Sequence, residues 1–195
     1  MSLAIFLVLI LGVLGGMYLP GSLSAFLDQA SSVMLLILLF SVGIDLGRNR
    51  QVFSQVRQLG FRILLVPFGV ILGSLWGGAV AALFVQTTMR EGMAIVSGLG
   101  WYSLSGILLT NAGNPVAGAI SFLSNVFREM LTFILIPFLA KHLNGYSAIA
   151  PAGATAMDTT LGMISKHTDG TIAVVAFVSG VICTLIVPIL MQFFL

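Results

Sequence analysis

Three ionisable side chains stand inside apolar stretches of this 195-residue chain, where charge is hardest to keep. Arg128 and Glu129 lie side by side near the middle of residues 116–139, and Asp158 lies about midway along residues 146–165. On insertion scales a charge at the bilayer centre costs roughly 2.5–3.5 kcal/mol, so such residues need a partner or a watery cavity. The guanidinium of Arg128 offers a fork that takes a carboxylate bidentately, whereas Glu129 and Asp158 can accept an ammonium group or cycle a proton. Polar and aromatic residues accompany them: Asn125 on the same stretch, Thr155 and Thr159 near Asp158, and the run Trp101, Tyr102, Ser103 and Ser105. Aromatic faces stack on aliphatic chains or on cations. Plainer roles stay open for each. Arg128 could neutralise Glu129 or Asp158 as a structural ion pair, and Trp101 and Tyr102 could be core or interface aromatics. Asp45 is a possible additional acid, but it closes a span and is followed by arginines, where a carboxylate reaches water easily.

The elements that must position these residues are helices. Residues 116–139 exceed the roughly 20 needed to cross a bilayer. At about 100° per residue, Ser121, Ser124, Asn125, Arg128, Glu129 and Thr132 fall in an arc of roughly 140°, with apolar residues covering the remainder. The segment therefore has one polar face for an interior and one apolar face for lipid and packed neighbours. Residues 146–165 are interrupted by Pro151, Gly153 and Gly162, while Thr155, Asp158 and Thr159 share one helical face. Residues 92–110 are long enough to cross, but Gly98, Gly100 and Gly106 with their intervening hydroxyls predict a broken or re-entrant helix.

Composition agrees with this picture. Hydrophobic residues make up 58% and charged residues 7% of the chain, and the mean hydropathy is +1.13. An ordinary soluble domain is excluded, and continuous apolar runs indicate helices rather than the alternating strands of a barrel. The chain is expected to be an all-α integral membrane protein, one transmembrane domain over residues 1–195. It has about seven hydrophobic segments: 3–19, 30–46, 61–85, 92–110, 116–139, 146–165 and 171–195. The N-terminus lacks the positive region of a secretory signal and reads as a retained first span. Arg48, Arg50, Arg57 and Arg62 form the densest basic loop, which places that loop and the N-terminus in the cytoplasm, with Lys166 inside and Arg90 and Lys141 outside. The single cysteine, Cys183, permits no internal disulfide and no CxxC-type metal site. No metal site, cofactor or nucleic-acid surface is expected. His142 and His167 are expected in loops, where solvation is the simpler role and pH sensing the alternative.

Three motifs in order, Gly98-Leu99-Gly100-Trp101-Tyr102-Ser103-Leu104-Ser105-Gly106-Ile107-Leu108-Leu109-Thr110, then Asn125 with Arg128-Glu129, then Gly153-Ala154-Thr155-Ala156-Met157-Asp158, resemble the lysine exporter LysO family of inner-membrane proteins. The likeness extends over the chain and includes Gly43-Ile44-Asp45. It implies export of L-lysine and toxic lysine analogues from the cytoplasm, driven by proton or cation antiport. It also implies that Asp158 is an essential acid, with Glu129, Arg128, Asn125 and the Trp101–Ser105 stretch lining a pocket. Full-length members carry further spans before this region, so a homodimer or a small membrane partner supplying them is expected. Against this leading reading stand an inorganic cation/proton antiporter or channel subunit, and an intramembrane aspartyl protease using Asp45 and Asp158. The protease requires both carboxyls at one depth.

Overall fold

In a bilayer, long apolar runs satisfy their backbones only as helices or closed barrels. The computed structural model is helical, with no strand among the described residues. It describes residues 60–85 and 87–195, together with scattered positions between Leu7 and Ile44. Two compact units form, Met1–Ile44 and Asp45–Leu195. In the first, every described residue is helical, and Leu11, Phe26 and Phe40 are exposed. The limits expected for spans 3–19 and 30–46, and the roles expected of Asp45, Arg48, Arg50 and Arg57, lie outside the described residues.

In the second unit a 3-10 turn, Phe61–Leu64, leads into α1 (Leu65–Val85). Then come α2 (Met89–Val96), α3 (Tyr102–Asn111), α4 (Pro115–His142), α5 (Gly145–Ile149), a second 3-10 turn (Gly153–Met157), α6 (Leu161–His167) and α7 (Gly170–Phe194). Among the described residues three helices, Arg62–Val85, Pro115–His142 and Gly170–Phe194, are long and apolar enough to cross a membrane. The segments at 92–110 and 146–165 are each split into short helices.

Local chemistry explains the boundaries. Pro115 opens α4, where a missing N–H is harmless, and the Asn114 side chain caps it by accepting from Ala117 N at 3.0 Å. Asp169 caps α7 by accepting from Ile172 N at 2.9 Å. Thr88 caps α2 by accepting from Glu91 N at 3.1 Å. Asn114 also donates to Glu91 Oε1 at 2.8 Å, which ties the start of α4 to α2. The outer faces carry Phe68, Trp76 and Phe84 on α1, Phe127, Ile134 and Phe138 on α4, and Leu185, Ile189 and Phe193 on α7, all exposed. Such continuous apolar faces suit lipid rather than water. The core lies where α5, the second 3-10 turn and α6 meet α7, around Ile149, Ala156, Ile164, Ala176 and Val178.

Candidate functional site at two crossed helix breaks

After Val96 the backbone leaves the helix in a tight turn. Leu99 N donates to Val96 O at 3.1 Å and Trp101 N to Gly98 O at 2.7 Å, with Leu99 at φ 48° and Gly100 at φ 103°. A left-handed leucine is uncommon and persists only where its surroundings hold it. The second break supplies that hold, since Ala154 N donates to Leu99 O at 2.8 Å. The approach requires glycine at position 153, where φ is +60° and a Cβ would lie 2.1 Å from Leu99 O. Behind it, α7 packs directly on the second 3-10 turn, because a Cβ at Gly180 would lie 2.3 Å from Met157 N. The two interrupted segments thus cross and are joined backbone to backbone.

One face of α4 holds this crossing. Ser121 Oγ donates to Ile95 O at 2.7 Å, near the end of α2. Asn125 Oδ1 accepts from Gly100 N at 2.7 Å, while its Nδ2 donates to Ser121 O at 2.9 Å and lies 3.4 Å from Ser105 Oγ. Arg128 Nε donates to Pro151 O at 2.8 Å, and Thr132 Oγ1 lies 3.1 Å from that same carbonyl. Residues 121, 125, 128 and 132 follow the i, i+4, i+7, i+11 spacing of a single stripe. Every member meets a backbone group freed by a break, as membrane depth demands. Asn125 and Ser105 are buried, so they act as braces of the first break rather than as lining of an open pocket. Substituting Asn125 with leucine strands the buried Gly100 N–H, a loss of about 1–3 kcal/mol. The expected result is a thermal midpoint in detergent several degrees below wild type, and an unchanged midpoint would contradict the brace.

The acids lie on the neighbouring flank. Glu129 is half-buried and within electrostatic range of Asp158. The Tyr102 hydroxyl is within range of both carboxylates, and its ring stands edge-on to Phe122 at 5.4 Å between centroids. Asp158 is exposed and, among the described residues, accepts only from its neighbour, through Thr159 N and through Thr159 Oγ1 at 3.4 Å. Trp101 and Ser103 are half-buried at the opening of α3, whose first amides have no side-chain cap.

Two expectations change. Thr155, Asp158 and Thr159 do not share a helical face, because a 3-10 turn and an irregular turn replace the α-period. Thr155 is buried, donating to Ala152 O at 2.8 Å and lying 3.2 Å from Thr160 Oγ1, while Asp158 and Thr159 turn outward. Nor does Arg128 pair with either acid among the described residues. Its Nη1 donates to Ser74 Oγ on α1 at 3.1 Å, and it borders an open groove of about 710 Å³ between α1 and α4. Ser74, Thr132 and Thr160 were not among the expected site residues. Thr132 could have been found from its place on the polar arc of α4, whereas Ser74, among the small residues of α1, carried no such signal.

Three membrane-length helices around two helix breaks that meet at a polar crossing have the build of a helical membrane transporter. The chain belongs to the lysine exporter LysO family, whose model matches residues 6–195. It is 39% identical over 166 residues to the lysine exporter LysO of Escherichia coli (strain K12), covering 85% of this chain and 55% of that protein. The chain thus spans about half the length of that relative. It is also 37% identical over 169 residues to a protein of Haemophilus influenzae named as a candidate lysine exporter, covering 87% of this chain and 86% of that protein. No solved structure gives a significant match. Membership in an exporter family sets aside the protease reading.

Proposed function

We propose that the chain exports L-lysine and its close analogues from the cytoplasm, with the crossing of the two breaks as the substrate site and a proton or another cation such as sodium moving in exchange. The observation that carries this reading is the joining of the two breaks, Ala154 N to Leu99 O, beneath the polar stripe of α4, with half-buried Glu129 next to that stripe and Asp158 exposed just past the second break. Two carboxylates with a tyrosine within electrostatic range of both suit a protonated amine, which gains charge-assisted hydrogen bonds from the acids and a ring face or hydroxyl from Tyr102. The uncapped amides at the start of α3 suit the substrate's carboxylate, since a helix N-terminus favours an anion. Exchange follows if one carboxylate is protonated when the amine leaves, so that the outward step moves lysine and the return step moves a proton. The family name and the relatives' names support the choice of lysine.

Everted membrane vesicles containing the chain test this. Labelled lysine is expected to accumulate on imposing a proton or sodium gradient, whichever is the coupling ion, and excess unlabelled lysine is expected to suppress that flux. An inorganic antiporter or channel would instead carry cation flux that lysine neither drives nor blocks, and that result would contradict the proposal.

A further inference from the structure

Two members of the α4 stripe converge on one atom. The carbonyl of Pro151, in the turn that follows α5, accepts from Arg128 Nε at 2.8 Å and lies 3.1 Å from Thr132 Oγ1, whose proton it shares with Arg128 O at 2.7 Å one turn back on α4. The other arm of the same guanidinium, Nη1, reaches across to Ser74 Oγ on α1 at 3.1 Å. A Cβ at Gly153 would sit 3.0 Å from Nη2, so the guanidinium packs against the second break itself. Thr132 is fully buried and out of reach of any substrate. The acids turn to the other flank of α4, and none of Glu129, Asp158 and Tyr102 borders the groove beside Arg128.

We infer that Arg128 is a positioning residue: with Thr132 it pins the second break to α4, and through Ser74 it ties that joint to α1, so that Asp158 is presented toward Glu129. A planar fork suits this task where a lysine would not, because two donors at a fixed angle serve two acceptors, one in the turn after α5 and one on α1. In this arrangement the substrate's carboxylate is not the ligand of Arg128. The transport arm of the test rests on the export reading; the structural arm does not.

The structural arm uses Cys183, the only cysteine of the chain. It is fully buried on α7, the helix that packs on the second 3-10 turn through Gly180. Its labelling by a membrane-permeant maleimide in nanodiscs reports how often that turn lifts away. Thr132→Val and Ser74→Ala keep the charge of Arg128 and each remove one hydroxyl of the joint. Each is expected to speed labelling roughly five-fold, the effect of one net hydrogen bond on a local opening equilibrium. The transport arm compares lysine with cadaverine, the same carbon chain and terminal amine without the carboxylate, in wild type and Arg128→Lys. The ratio of their apparent affinities is expected to stay at the wild-type value while the maximal rates of both fall. A ratio that collapses toward one in Arg128→Lys would assign the guanidinium to the substrate's carboxylate and overturn the inference. Unchanged Cys183 labelling in both Thr132→Val and Ser74→Ala would overturn it as well. If wild type takes neither amine, the export reading fails and the labelling rates alone decide the positioning role.

Discussion

Replacing Asp158 with asparagine is expected to lower lysine export by about a hundredfold or more while leaving the protein folded. The size of the effect follows from the proposed chemistry: once bound substrate has displaced water from Asp158, removing the carboxylate that faces the ammonium group costs about 2–5 kcal/mol, much of it because that cation is left uncompensated. The survival of the fold follows from the structure. Asp158 is exposed, and among the described residues its carboxylate accepts only from Thr159, through the backbone N–H and the hydroxyl. An asparagine Oδ1 accepts from the same donors. Flux of labelled lysine in everted vesicles and the thermal midpoint of purified protein separate the two effects. Wild-type flux in Asp158→Asn would remove Asp158 from the mechanism, and a collapsed midpoint would show that its role is structural.

The second large effect is Gly153→Ala. The new methyl would meet Leu99 O at 2.1 Å on a backbone at φ +60°. The left-handed conformation alone disfavours alanine by about 1 kcal/mol, and forcing apart two packed backbones adds to it, for a total of about 3 kcal/mol. The hydrogen bond from Ala154 N to Leu99 O, which joins the two breaks, is the first to be strained. Gly162→Ala is the matched control, because no atom lies within 4 Å of its Cβ position and its φ is not positive. Thermal unfolding in one detergent is expected to show a large loss for Gly153→Ala and little change for Gly162→Ala. Equal midpoints for the two variants would contradict the crossing.

Much of this arrangement was legible in residue order. The long α4 follows from a continuous apolar run with one polar arc, and both interruptions follow from glycine and proline placed where a helix needs neither. That the two interruptions would face one site was expected, but the bond that joins them was not legible, because Ala154 N and Leu99 O are backbone atoms far apart in the chain and leave no side-chain signature. Arg128 and Glu129 misled for a simpler reason. Adjacent residues on a helix point about 100° apart, so neighbours in sequence address different neighbours in space. One meets Pro151 and Ser74, while the other faces the flank of Asp158. The shared face expected of Thr155, Asp158 and Thr159 assumed an α-period that the second break does not keep. There Thr155 turns inward to Thr160, and Asp158 is left free to meet a ligand.

Equilibrium binding of labelled lysine to the purified chain, measured side by side for wild type, Asp158→Asn and Glu129→Gln, tests the central claim most directly. Saturable binding to wild type, displaced by unlabelled lysine and lost in both variants, is the result the crossing of the two breaks predicts. Binding of equal strength in all three proteins would contradict it.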